Sequence, residues 1–125
     1  MRNFEDMFRE LLDLDSAMDK YEWIMDYGDK ALSLSQHLCN ESTLVRGCTS
    51  ALYLNKVGDQ FLSHSESAIV KGLSSMICDY YNQADEASRQ YFDLNTLNSI
   101  GLAPLLSMGR QNGVANLIRR LKELT

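Results

Sequence analysis

The chain has a single proline, Pro104, and only two histidines and three cysteines among its 125 residues. With so little proline, segment boundaries must be set by Gly, Ser, Asn and Asp. An odd number of cysteines at irregular spacing does not describe the disulfide framework of a secreted domain. No Cys-x-x-Cys and no His-x₃₋₅-His occurs, so the common structural zinc patterns are missing. Basic residues are scarce, 12 against 17 acidic ones, for a formal charge of −5. That balance argues against a nucleic-acid binder, which needs clustered Lys and Arg to neutralise phosphates. The longest apolar run, Gly101 to Leu106, falls far short of the roughly 20 residues of a membrane span. The first ten residues hold no apolar run either, so neither a secretory signal nor a membrane role is expected, and the location expected is cytoplasmic.

What remains is an ordinary globular composition, 45% hydrophobic and 23% charged, long enough for one domain over residues 1–125 with one modest core. Phe4, Met7, Phe8, Leu11 and Leu12 fall at i, i+3, i+4, i+7 and i+8, one stripe of an amphipathic helix. Asp15 or Ser16 can cap a second helix, which the pattern predicts to run to about Tyr27 with Gly28 in a left-handed C′ position. Residues 29–42 read as a polar loop tacked down by Leu32, Leu34 and Leu38.

From Thr43 to His64 the period changes. A short strand over 43–46 is predicted, then a hairpin with its turn at Asn55-Lys56-Val57-Gly58-Asp59, Leu52 and Leu54 facing one way. Ser65 is predicted to cap a helix from Glu66 to about Asn82, whose apolar arc is wide enough to pack across a small sheet. A polar stretch over 82–90 follows, then a short helix capped by Asp93 and reaching Ile100. Ser107 caps a last helix with the stripe Val114, Leu117, Ile118, Leu121 and Leu124. Arg119, Arg120 and Lys122 sit in its last turns, where cations suit the helix dipole.

The chemistry rests on the thiols. His37, Cys39 and Cys48 have no zinc-site spacing, so no metal site is expected. A Cys48–His64 pair lacks any marked orienting acid or oxyanion hole. Cys78 reads as a small core residue of a helix covered on two sides, and Cys39 as a spectator in a polar loop. Cys48 differs in its context. It follows Gly47, which lets the backbone bend, and Arg46 two positions back places a cation where it favours the thiolate. These features leave Cys48 either a loop thiol or a nucleophile. Arg110 opposes the dipole in the first turn of the last helix, and Gly113 in the next turn suggests close approach of a neighbour.

Val45-Arg46-Gly47-Cys48-Thr49-Ser50 resembles the active-cysteine loop of the SufE family of sulfur acceptors, of the form V-x-G-C-x-S. Tyr21-Glu22-Trp23-Ile24 with Gly28 is similar to the family's second helix, and Ser65 to Leu73 to its signature helix start. Leu105 to Arg110 with Gly113 resembles the S-x-x-R-x-x-G entry to its last helix. The matches run from residue 16 to residue 124.

The resemblance implies an α+β fold shared with IscU and NifU scaffolds, a three-stranded antiparallel sheet packed by helices with the acceptor cysteine in a loop at its end. It implies that Cys48 accepts persulfide sulfur from a cysteine desulfurase of the SufS or CsdA type and stimulates that enzyme. Sulfur then passes to an iron–sulfur scaffold. The pyridoxal phosphate of the reaction belongs to the desulfurase. This chain would carry no cofactor of its own and would not be an autonomous enzyme, with Lys71 a solvated surface lysine. Arg110, Glu66, Arg46 and Gly47 are expected partner-binding positions, the last two flanking the thiol, and a homodimer is compatible with the pattern. Arg46 departs from the family, which often has Pro or an uncharged residue there. The rival implied by the same fold is an iron–sulfur scaffold, drawing on Cys48 with Cys39, Cys78 and His37. A purely structural interaction module is the third reading.

Overall fold

The computed structural model of the chain describes residues 4–47, 50–92, 95 and 106–124. It is an α+β structure. Helices α1 (Phe4–Leu12) and α2 (Ala17–Lys30) precede a 3-10 turn at Gln36–Leu38. The hairpin β1 (Leu52–Val57) and β2 (Gln60–Ser65) leads into α3 (Ala68–Gln83) and α4 (Glu86–Tyr91), and the last element is α5 (Met108–Leu124). No helix among the described residues is long and apolar enough to cross a membrane.

Local signals set most boundaries. The Ser16 side chain accepts from the Asp19 amide at 3.1 Å and starts α2, and the Ser107 hydroxyl accepts from the Arg110 amide at 3.3 Å at the start of α5. The hairpin pairs Leu52 with Ser65 and Val57 with Gln60, leaving a two-residue turn in which Gly58 takes φ +61°. Leu52 and Leu54 of β1 and Phe61 of β2 enter the core, where Leu73, Met76, Ile77 and Tyr81 of α3 meet them. In the same core β1 and α3 also meet α5, whose Val114, Leu117, Ile118 and Leu121 are buried as the stripe predicts. In α1, Met7 and Leu11 are buried while Leu12 is exposed, so the buried stripe is narrower than the sequence suggests.

Five expectations are corrected. The sheet has two strands among the described residues: the segment 43–46 makes only an isolated antiparallel bridge, Leu44 to Tyr53, on the free edge of β1. A tight Asn40–Thr43 turn before it and the turn at Gly47 after it leave no length for a ladder. Gly28 is not a left-handed cap, since it lies inside α2, which continues to Lys30. Ser67, not Ser65, caps α3: its hydroxyl accepts from the Val70 amide at 3.4 Å, whereas Ser65, the last residue of β2, accepts only from the Ser67 amide at 3.2 Å, before the helix begins. The stretch after α3 contains α4, capped by the Asp85 carboxylate accepting from the Ser88 amide at 2.8 Å. Leu32 is 71% exposed and holds nothing, and it is Leu34 that is buried, its amide donating to the Ser63 carbonyl at 3.0 Å. The helix expected from Asp93 to Ile100 lies outside the described residues apart from Asn95, which is helical.

Gly28 has a different purpose. A Cβ placed on it would come within 2.8 Å of the Gly72 backbone nitrogen, and one on Gly72 within 2.0 Å of the Ile24 carbonyl oxygen. The paired glycines let α2 and α3 touch backbone to backbone. The Tyr27 hydroxyl donates to the Asp79 carboxylate across the same contact. Asn82 of α3 satisfies the outer edge of β2 through both its amide atoms, accepting from the Phe61 amide at 2.7 Å and donating to its carbonyl at 3.1 Å.

Covered by helix on one side and strand on the other, α3 buries Cys78 completely, as expected for a core cysteine. Burial pushes its thiol from the usual 9.0 up to about 12. The unfolded chain therefore loses this proton above pH 9 while the folded chain keeps it, so stability falls as pH rises from 9 towards 12. The expected slope is about 1.4 kcal/mol per pH unit. Tyr81, also pushed by burial to about 12, adds the same sign above its usual 10.0. Urea denaturation between pH 8 and pH 10 checks this, with Cys78→Ala expected to flatten the curve; an equally steep curve in the variant would assign the loss elsewhere.

Candidate functional site

The segment leading to Cys48 is fixed residue by residue. The Asn40 amide donates to the Thr43 hydroxyl at 3.1 Å, and that hydroxyl donates to the Leu38 carbonyl at 2.7 Å, closing a turn around the buried Thr43. The chain then lies along β1, with the Val45 amide donating to the Leu52 carbonyl and the Leu54 amide to the Thr43 carbonyl, both at 2.8 Å. Val45 is buried and anchors the segment in the core, while Arg46 is exposed. Two residues of α5 complete the support. The Arg120 guanidinium donates to the Ser42 carbonyl at 3.2 Å, and Asn116 lies against Gly47.

Gly47 takes φ +88°, a region that side chains rarely adopt, and a Cβ there would fall 2.2 Å from the Asn116 amide nitrogen. The conformation requires glycine, while the space would be cleared by a shift of the Asn116 side chain. Beyond the loop the chain is held again, the Ser65 hydroxyl donating to the Ala51 carbonyl at 2.7 Å. Cys48 and Thr49, between these anchors, lie outside the described residues. Gly47→Ala is expected to be destabilised by about 1 kcal/mol from the φ strain, with the Asn116 side chain displaced. Asn116→Ala added to it should recover the clash but not the strain. Thermal melts of the single and double variants check this, and an alanine variant as stable as the parent would count against it.

The other residues singled out from the sequence are spread over the fold. Glu66 is exposed in the turn between β2 and α3, at the end of the hairpin where Ala51 enters it. Arg110 is half-buried in the first turn of α5, six residues or about 9 Å along the axis from Asn116. It does not line the shallow cleft of about 250 Å³ beside the loop, which is formed by Glu41, Arg46, Asn116, Arg119, Arg120 and Glu123 among others. Gly113 is buried. Lys71 is half-buried on α3 and not fully solvated. His37 is exposed in the 3-10 turn, and His64 stands opposite Tyr53 in the hairpin.

The remaining thiols are withdrawn. Cys39 is half-buried and donates weakly to the Ser35 carbonyl at 3.6 Å, and burial raises its thiol above the ordinary value. Among the described residues no three His, Cys, Asp or Glu side chains converge as metal ligands would. Larger clefts of about 640 and 460 Å³, at Lys56–Arg89–Tyr91 and at Trp23–Tyr27–Asp79, have no thiol in their described lining.

Asn116 and Arg120 were not legible as loop supports. Asn116 lies beside the apolar stripe of α5 like any polar helix position, and Arg120 reads as a last-turn cation. Only the packing of α5 beside β1 turns them towards Gly47 and Ser42.

Residues 5–125 match the family described as SufE, the Fe-S metabolism associated domain. The chain is 25% identical to an uncharacterized SufE-like protein of Rhizobium etli, covering 98% of this chain and 89% of that protein. It is 26% identical to another from Rhizobium meliloti, covering 98% of this chain and 94% of that one.

Proposed function

The chain belongs to the SufE family of Fe-S metabolism domains, and from that premise we propose that it is a sulfur acceptor working through Cys48. The observation that carries this reading is the anchoring of the chain on both sides of that residue, at Val45 by burial and its bond to Leu52 and at Ala51 by Ser65. A thiol that must be presented to another protein needs such fixed ends, because a near-attack geometry lost to loop motion is lost rate.

The donor is a pyridoxal-phosphate cysteine desulfurase holding a persulfide on its own cysteine. Cys48 gives up its proton to become a thiolate, and its sulfur attacks the terminal sulfur of the donor persulfide. A sulfur–sulfur bond forms to Cys48 as the one in the donor breaks, and the donor cysteine leaves as a thiolate. One sulfur atom moves with no net oxidation. Arg46, two residues away and exposed, favours the Cys48 thiolate. The persulfide then passes to an iron–sulfur scaffold.

The reading as a cluster scaffold has less support. Cys78, one of its few soft ligands, is sealed in the core with its thiol pushed up to about 12, far from the thiolate state that metal ligation needs.

The test is to mix the protein with a cysteine desulfurase and L-cysteine and map added sulfur by peptide. A gain of about 32 Da on the Cys48 peptide is expected, the mass of one sulfur atom. A fully charged donor that leaves Cys48 unmodified would refute the reading. Arg110, whose charge opposes the α5 dipole by roughly 0.3–1 kcal/mol, is assigned to the desulfurase contact. Arg110→Ala should weaken stimulation of the desulfurase while leaving the melting temperature equal or slightly higher, and unchanged stimulation would count against that role.

A further inference from the structure

We propose that Arg46 and Arg119, with Arg120 behind them, form a carboxylate-reading patch that orients the sulfur donor protein on this chain. This rests on the sulfur-acceptor function proposed above and names what the donor must present. A sulfur atom can pass between two protein thiols only if the donor covers the surface next to Cys48. A stable contact buries about 800 Å² on each partner, so it extends well beyond one side chain. Arg46 is two residues from Cys48 and lines the same cleft as Arg119 and Arg120. The donor therefore meets this cleft first.

The charge there is opposite in sign to that of the chain as a whole, as it also is in the larger Lys56–Arg89–Lys122 cleft, and only this cleft of the two is lined by the segment leading to Cys48. Three of the chain's 12 basic residues meet in one cleft of a protein whose formal charge is −5. Arg46 and Arg119 are exposed, and among the described residues neither has a side-chain hydrogen bond or ion pair. Arg120 is committed to structure, donating to the Ser42 carbonyl and lying 4.0 Å from Glu123. It holds the cleft wall while the other two remain available.

Glu41 and Glu123 also line the cleft. Their charges disfavour a free phosphate or a nucleic-acid backbone, which would meet repulsion on both sides of the cations. A protein surface can instead place its carboxylates opposite Arg46 and Arg119 and keep them clear of the two glutamates. Such interleaved charge fixes register and speeds encounter more than it adds affinity. Arginine suits the task, since its planar fork pairs a carboxylate through two hydrogen bonds.

The experiment measures the affinity of the desulfurase for the wild-type chain, Arg119→Glu, Arg46→Glu with Arg119→Glu, and the charge control Lys30→Glu. Lys30 is exposed at the end of α2 and does not line this cleft. In about 0.05 M salt the double variant should bind roughly tenfold more weakly, chiefly through a slower on-rate, with the control unchanged. The difference should shrink to within about twofold near 0.5 M salt, where exposed charges are screened. Equal affinity of the double variant and the wild type, or an equal loss in the control, would overturn the patch. Sulfur mapped on Cys48 of the wild-type protein in the same mixtures separates the two claims. If Cys48 is charged while the double variant binds normally, only the patch fails; if wild-type Cys48 takes no sulfur from a charged donor, the acceptor function itself fails.

Discussion

Replacing Cys48 by serine should abolish sulfur acceptance completely while leaving the melting temperature within about 1 °C of the parent. A hydroxyl is a somewhat smaller group of the same shape as a thiol but has neither its acidity nor its affinity for sulfur, so no thiolate forms to attack the donor persulfide. The described supports of the loop, from Ser42 with Arg120 to Gly47 with Asn116 and Ala51 with Ser65, involve no atom of Cys48 and should persist. Peptide mapping after incubation with a desulfurase and L-cysteine should find no persulfide on the loop peptide. Stimulation of the desulfurase should be lost along with it. A serine variant that stimulates turnover undiminished would mean that this chain acts on its partner without taking the sulfur.

The largest stability effect is expected at Gly72. A methyl group there would press on the Ile24 carbonyl oxygen at 2.0 Å and on its side chain at 2.6 Å. Neither helix can yield locally, because the oxygen belongs to the regular backbone of α2. The two helices must move apart and loosen the packing of Ile24 and Leu73, both 1% exposed. Alanine gains about 1 kcal/mol in helix propensity over glycine, but overpacking of this severity costs more. The net expectation for Gly72→Ala is a loss of about 3 kcal/mol and a fall of roughly 10 °C in melting temperature. Gly28→Ala, whose nearest contact is 2.8 Å, should lose less. Thermal and urea unfolding of both variants test the order, and a Gly72→Ala protein as stable as the parent would show that the crossing is not this close.

The contrast between these glycines shows what a one-dimensional reading misses. Gly28 stands near the end of a helical pattern, where a glycine ordinarily marks a left-handed cap, yet it faces Gly72, 44 positions later in the chain. Nothing within one helix reveals that another backbone is coming close. Gly47 was legible because its signal is local: a bend before a cysteine at the end of a strand segment. Ser65 misled for a similar reason. It has the composition of a cap, and its hydroxyl does accept from the Ser67 amide at 3.2 Å while donating to the Ala51 carbonyl, but Ser65 is still the last residue of β2, the helix starts later, and the capping falls to Ser67. The third strand was overread because β-branched content at 43–46 reports a preference for extended chain and not the length over which a ladder can form.

By itself the sequence determined the helical stripes, the hairpin with its Gly58 turn, the burial of Cys78 and the segment that ends in Gly47-Cys48. Each depends on periodicity or on neighbours within a few residues. The tertiary structure alone decided that α2 and α3 cross at paired glycines, that Asn116 of α5 lies against Gly47 and that Arg120 bonds the Ser42 carbonyl. It also decided that Arg46 and Arg119 share one cleft. Those are contacts between surfaces far apart along the chain, set by how elements pack and by which atoms fit between them, and no local preference encodes them.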